Sequence, residues 1–150
     1  MSDEAVSRPW PGPDGLTAGF WAAAAAHRLV IQRCADCTEF RHYPQPRCPN
    51  CLSESWTWTE VSGRGTVYTF TVTHQAFHPF WRDRVPYAVA TIELEEGVRV
   101  VSDLPAGDEA RVAIGSPVEV FFEEVSFEEV SFDDAARRTL TMPRFRLTLP

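Results

Sequence analysis

Cys34-Ala-Asp-Cys37, followed after a ten-residue gap by Cys48-Pro-Asn-Cys51, decides how this 150-residue chain is read. The chain has no other cysteine. Two CxxC knuckles can wrap one Zn²⁺ with four thiolates, a tetrahedron with no open coordination position. A closed site of this kind braces a loop-rich segment and does not activate water. Two disulfides would suit a small secreted protein, but the chain opens on the acidic Met1-Ser-Asp-Glu4 with no apolar signal core behind it. A redox CxxC belongs in a βαβ setting, which the flanking pattern lacks. Iron fits the same four sulfurs.

Working outward, Leu29-Val-Ile31 reads as a short strand entering the first knuckle, and Trp56-Thr-Trp58-Thr59 as a strand leaving the second. Pro44, Pro46 and Pro49 stiffen the segment between them. Upstream, Asp14 to His27 reads as a helix: it holds the run Ala22–Ala26, and Asp14 is placed to act as N-cap. Its weak apolar face can cover a neighbouring barrel or meet a partner. Residues 1–13 carry Pro9, Pro11 and Pro13 and read as a flexible lead.

Downstream, Gly63-Arg-Gly65 turns into a series of strands. Thr66–Thr73 has β composition with partial alternation, and Tyr87–Leu94 alternates more cleanly, with Val89, Ile92 and Leu94 as its apolar members. Gly97 turns the latter into Val98–Leu104 as a hairpin. Val118–Phe122 is a fourth strand, and Phe145, Leu147 and Leu149 alternate in a fifth. Periodicity alone gives a small all-β barrel or sandwich. Five strands with short connections after a zinc ribbon point to a Greek-key barrel of the OB type.

One segment departs from this pattern. Phe122-Glu-Glu-Val-Ser126 repeats at once as Phe127-Glu-Glu-Val-Ser131. A five-residue step puts equivalent side chains on opposite faces of a strand. Either the strand extends into a protruding acidic hairpin, or the repeat is a neutral duplication.

Composition narrows the function. The net charge is −7; four thiolates (−4) and one Zn²⁺ (+2) would take it to −9. Such a surface repels phosphate backbones, so no nucleic-acid partner is expected. The longest apolar run, Trp21–Ala26, is far too short to span a bilayer, and a cytoplasmic protein is expected. All 14 basic residues are arginine, which excludes a lysine Schiff base on this chain. There is no G-x-S-x-G elbow, and His27, His42, His74 and His78 are scattered, so no catalytic residue is assigned.

From Leu29-Val-Ile-Gln-Arg-Cys-Ala-Asp-Cys37 and Cys48-Pro-Asn-Cys51, the pattern continues through Glu60-Val-Ser-Gly-Arg-Gly-Thr-Val-Tyr68-Thr-Phe70 and Val85-Pro-Tyr87. It ends with Ile114-Gly115, Pro117-Val-Glu-Val-Phe121 and Met142-Pro-Arg-Phe-Arg146. In order and spacing these stretches resemble the DUF35 family, over residues 15–149. The repeat at 122–131 is longer than the family pattern there. The resemblance implies a mainly β fold: an N-terminal helix, a rubredoxin-like zinc ribbon and a five-stranded OB-fold barrel. The corresponding units are 1–28, 29–60 and 61–150.

The resemblance also implies a role. Such proteins are non-catalytic accessory subunits of thiolase-like or lipid-transfer-protein-like enzymes, which make or break a carbon–carbon bond in an acyl-CoA thioester. Steroid side-chain retro-aldol cleavage is one such reaction. A hetero-oligomer with a structural Zn²⁺ and an acyl-CoA near the shared site is therefore expected. The rivals are a single-stranded nucleic-acid binder, since ribbons and OB barrels both serve there, and a stand-alone acyl-CoA-binding module.

Four sets of site residues follow. Cys34, Cys37, Cys48 and Cys51 are the metal ligands. Phe77, Phe80 and Trp81, on the loop between the first two barrel strands, are the partner-binding candidates, because aromatics with arginine concentrate at interface hot spots. They can equally cap the barrel mouth. Arg64, Arg82, Arg84, Arg144 and Arg146 are candidates for CoA phosphates through bidentate contacts, although for any one of them a solvated charge or a surface salt bridge is the commoner role. Trp56 and Trp58 share a strand face and are expected to pack the ribbon onto the barrel, with a stacking platform as the alternative.

Overall fold

The computed structural model describes residues 8–128 and 137–148. The cysteine segment forms a three-stranded antiparallel sheet of β1 (Val30–Cys34), β2 (Phe40–Arg41) and β3 (Trp56–Glu60), in the order β2-β1-β3. The strand expected at 29–31 runs on to Cys34, so the first knuckle begins where pairing with Trp56 ends. β2 is a two-residue strand with no apolar period of its own. It forms because Gln32 pairs with Arg41 in the ladder and accepts its side-chain Nε–H at 2.7 Å.

Helix α1 (Ala18–Ala25) is shorter than the expected Asp14–His27, and its N-cap is Thr17, not Asp14. Asp14 instead shapes the turn ahead of the helix. Its Oδ1 accepts from the Thr17 backbone N–H at 2.9 Å and from the Thr17 hydroxyl at 3.0 Å. α1 packs against both β1 and β8 (Arg137–Leu147), burying Ala23 and Ala24. This settles which way its apolar face turns: it covers the junction of ribbon and barrel. Gly19 is what lets Trp58 lie against the helix, because a Cβ there would overlap the indole ring. Trp58 also lies near Phe20 of the helix at 6.5 Å, so it packs helix onto ribbon where the pair was expected to pack ribbon onto barrel; Trp56 meets Trp58 edge to face at 5.0 Å.

The second sheet holds β4 (Arg64–Thr73), β5 (Tyr87–Leu94), β6 (Arg99–Asp103), β7 (Pro117–Glu128) and β8, in the order β6-β5-β4-β7-β8, all antiparallel. β5 alternates without a break between half-buried and buried residues, with Ala88, Ala90, Ile92 and Leu94 inward. Gly97 adopts φ 88 in the β5–β6 turn, a conformation that L side chains rarely take. The two edge strands meet through side chains: the Ser102 hydroxyl on β6 accepts the Phe145 backbone N–H of β8 at 3.1 Å. That closes the sheet into the five-stranded OB barrel. Ribbon and barrel share one core, in which Leu29 and Ile31 pack with Val67, Ile92, Val118 and Phe145.

β7 runs past Phe122 into the repeat, as the extended-strand reading has it, and is paired with β8 from Val118↔Leu147 out to Glu128↔Arg137. The repeat therefore extends the strand, and its two phenylalanines serve different faces. Phe122 stacks on His27 at 5.2 Å, beyond the end of α1. Phe127 is 3% exposed and meets Trp10 edge to face at 4.9 Å. Ser131 and the expected hairpin tip lie outside the described residues, as does Leu149. The lead expected to be flexible is laid on the barrel at Arg8 and Trp10. Among the described residues no helix is long and apolar enough to cross a membrane.

Candidate functional site

The four thiols converge. All four sulfurs lie within 4.8 Å of one another, with Cys34–Cys51 at 3.6 Å and Cys37–Cys48 at 3.5 Å. Sulfurs on a tetrahedral zinc stand about 3.8 Å apart, given a bond near 2.3 Å. The spacing is far too long for a disulfide and right for a shared ion. Each knuckle is built the same way. Thr38 N–H donates to the Cys34 carbonyl at 3.1 Å, and Leu52 N–H to the Cys48 carbonyl at 2.9 Å. Both donors are left-handed, at φ 65 and φ 63. Asp36 and Ser53, one from each knuckle, are joined by a side-chain hydrogen bond.

The environment favours the thiolate at two of the sulfurs and opposes it at Cys51, where the Ser53 backbone N–H lowers the pKa but burial and the other three sulfurs push it up to about 12. The backbone N–H of Cys37, aided by that of Asp36, lowers the Cys34 thiol to about 6 against the opposing effect of burial. The backbone N–H of Cys51 lowers Cys48 in the same way. Cys34 and Cys48 are buried and Cys51 is exposed, so the cluster sits at the rim of the ribbon. Four thiolates fill the coordination sphere, so the chemistry this donor set supports is structural.

A second feature lies on the barrel. A groove of about 760 Å³ runs between the 79–87 segment and the β7–β8 hairpin, with Arg8, Trp81, Tyr87, Asp103, Glu123 and Arg144 among its walls. Its size is that of a small-ligand cleft. His78 Nδ1 accepts the Phe80 N–H at 3.2 Å and starts the short Pro79–Trp81 turn. Trp81 then packs on Phe80 at 5.0 Å and on Tyr87 at 5.4 Å. The three aromatic candidates therefore separate. Phe80 and Trp81 are half-buried at the barrel rim, while Phe77 is 87% exposed.

The five arginine candidates also separate. Arg64 makes a two-point pair with Glu95, Arg146 pairs with Glu119, and Arg144 pairs with Asp103 and Glu123. Arg84 lies 4.3 Å over the Phe80 ring and Arg82 is exposed. Only Arg84 and Arg144 reach the groove. Sequence reasoning missed Arg8, Tyr87, Asp103 and Glu123 as groove residues. No local motif marks them, because they come from four separate segments. Among the described residues no histidine is hydrogen-bonded to a hydroxyl or a carboxylate; His78 contacts backbone only.

Comparison with known proteins agrees with this geometry. Residues 21–57 match the ChsH2 rubredoxin-like zinc ribbon domain and residues 58–123 the ChsH2 C-terminal OB-fold domain. The chain is 42% identical over 122 residues to the 3-oxo-4,17-pregnadiene-20-carboxyl-CoA hydratase alpha subunit of Mycobacterium tuberculosis, covering 81% of this chain and 38% of that one. The chain thus spans less than half the length of the hydratase alpha subunits it matches. It is 34% identical over 98 residues to a DUF35 domain-containing scaffold protein of Methanocaldococcus jannaschii, covering 65% of this chain and 69% of that protein. Among solved structures it superposes on a chain of the Ltp2-ChsH2(DUF35) aldolase with a TM-score of 0.73 at 37% identity, covering 93% of this chain and all of that one. With the four-cysteine ribbon, the OB barrel and these alignments in agreement, the chain belongs to the DUF35 family.

Proposed function

We propose that this chain is a non-catalytic accessory subunit of an enzyme that makes or breaks a carbon–carbon bond in an acyl-CoA thioester. The observation that carries the reading is the disposition of reactive groups. All four thiols meet in one closed cluster, and among the described residues no histidine touches a hydroxyl or a carboxylate. Such a chain offers surfaces and no assembled nucleophile. The likeness to a chain of an aldolase supports the reaction class, and the name of the mycobacterial relative supports a steroid-type acyl-CoA. We take the partner to be a thiolase-like or lipid-transfer-protein-like subunit that brings the catalytic groups, joined in a hetero-oligomer.

In this reading the units 1–28, 29–60 and 61–150 divide the labour. The ribbon, with zinc bound at Cys34, Cys37, Cys48 and Cys51, holds one end of the barrel rigid. The loop carrying Phe77, Phe80 and Trp81 is the partner contact, with Phe77 as the projecting anchor. Arg82 and Arg84 are the arginines best placed for CoA phosphates, because Arg64, Arg144 and Arg146 would first have to leave a carboxylate. The test is reconstitution: the isolated chain should turn over no acyl-CoA, and the co-purified complex should. Turnover by the chain alone would end this reading.

A further inference from the structure

Phe127 lies near the outer end of a long two-stranded hairpin, where a side chain is ordinarily wet, yet it is 3% exposed. The lead is part of what covers it. Trp10 meets Phe127 edge to face at 4.9 Å, and the Arg8 guanidinium lies 6.0 Å from the Phe127 ring centre and 5.4 Å from that of Trp81. Arg138, on the paired strand, lies over Trp10 at 5.8 Å. The Arg8–Trp10 segment therefore bridges two elements that the sheet does not join: the hairpin and the turn at 79–81. Arg8 is also a wall of the 760 Å³ groove between them.

The groove suits this cationic occupant. Asp83, Asp103, Glu109 and Glu123 line it against Arg84, Arg144 and Arg8 itself. Without Arg8 the lining carries four acids and two bases. Burial lowers the Arg8 pKa; Asp103 and Glu123 oppose that effect, while the neighbouring Arg144 and Arg84 add to it. Two ring faces and the acidic field hold the segment, with no backbone ladder. Contacts of this kind are individually weak and reversible.

We propose that residues 8–10 form a strap that closes the groove, with Arg8 as its pin, and that lifting the strap bares a continuous apolar face of Trp81, Tyr87 and Phe127. The proposal rests on the reading above only in naming a regulation of the face assigned to the partner. Its test needs no partner, so the two can fail separately. Arg8→Ala/Trp10→Ala would be made in the full chain and compared with the wild type by amide hydrogen exchange, bis-ANS fluorescence and zinc content. The strap predicts exchange about tenfold faster or more in peptides covering 79–86 and 120–128, with β1 and residues 88–94 of β5 unchanged. It also predicts stronger bis-ANS emission at full zinc content, reversed by excess peptide spanning residues 4–13. Unchanged exchange and emission would show that the segment closes nothing. Faster exchange throughout the barrel would show a structural staple instead, and would equally overturn the proposal.

Discussion

Arg144 on β8 holds Asp103 on β6 with two hydrogen bonds, Nε to Oδ1 at 3.0 Å and Nη2 to Oδ2 at 2.9 Å, across the seam where the barrel closes. Its remaining Nη1 reaches Glu123 on β7 at 2.9 Å. Burial works against the Arg144 charge, but Asp103 and Glu123 outweigh it and raise the pKa on balance. Arg144→Met would leave two carboxylates facing each other at the seam. A loss of roughly 2–3 kcal/mol is expected, the low end for breaking a buried pair because both acids keep some water. Denaturant melts of the zinc-loaded protein check this; a loss under about 0.5 kcal/mol, the scale of an exposed pair, would show that the seam is held elsewhere.

Zinc should be found at one ion per chain. Cys34→Ser or Cys48→Ser removes a buried sulfur and should lose both metal and folded protein, since site and fold form together. Metal analysis with circular dichroism reads both. A folded, metal-free wild type would contradict the four-thiolate site.

Gly19→Ala should destabilise although alanine is the better helix former. In an open helix the change would gain about 1 kcal/mol. Here the added methyl overlaps Trp58, and overpacking of this kind costs about 1–3 kcal/mol. A rise in melting temperature would mean that the helix does not press on the ribbon.

His42 lies between Phe20 and Tyr43, with ring centres 5.8 and 4.4 Å away, and burial lowers its pKa from 6.5 to about 4. The folded state thus disfavours the charged form. The contribution is complete above the unfolded pKa near 6.5 and is lost as pH falls through about 4. Its size is on the order of 3 kcal/mol at most. His42→Gln should flatten the stability-against-pH curve between these limits relative to the wild type; parallel curves would show that His42 titrates as if exposed.

Phe77→Ala should leave melting unchanged, because the side chain stands in solvent. If Phe77 anchors the partner, affinity should fall by about 2 kcal/mol, roughly thirtyfold. Trp81→Ala should lower both stability and affinity, because Trp81 also packs on Tyr87. Partner titration of Phe77→Ala at wild-type affinity would place the interface elsewhere.

What the sequence made legible was what short spacing encodes. The two knuckles named their cluster, and the apolar residues of Tyr87–Leu94 marked a strand, although Val89 turns to the half-buried face and Ala88 and Ala90 join Ile92 and Leu94 inside. Effects that depend on distant partners were not legible. Asp14 looked like a cap until Thr17 turned back to it. The repeat offered no core-facing period, so the sequence left an extended strand and a neutral duplication open, and pairing with β8 out to Glu128 decided for the strand. For Arg64, Arg144 and Arg146 a salt bridge was the expected alternative to a phosphate, but its partners were not legible because the carboxylates stand 21 to 41 residues away along the chain. Arg8 and Trp10 sat in a proline-rich lead whose docking surface is built from other elements.

The central claim is that this chain serves an acyl-CoA enzyme and is not one. The most direct measurement is acyl-CoA turnover by the zinc-loaded chain alone, beside the complex co-purified from its native host. The account predicts no turnover above the uncatalysed rate alone, and carbon–carbon bond cleavage or formation in a complex that loses activity when this chain is removed. Turnover by the isolated chain, or a co-purified enzyme indifferent to its removal, would contradict it.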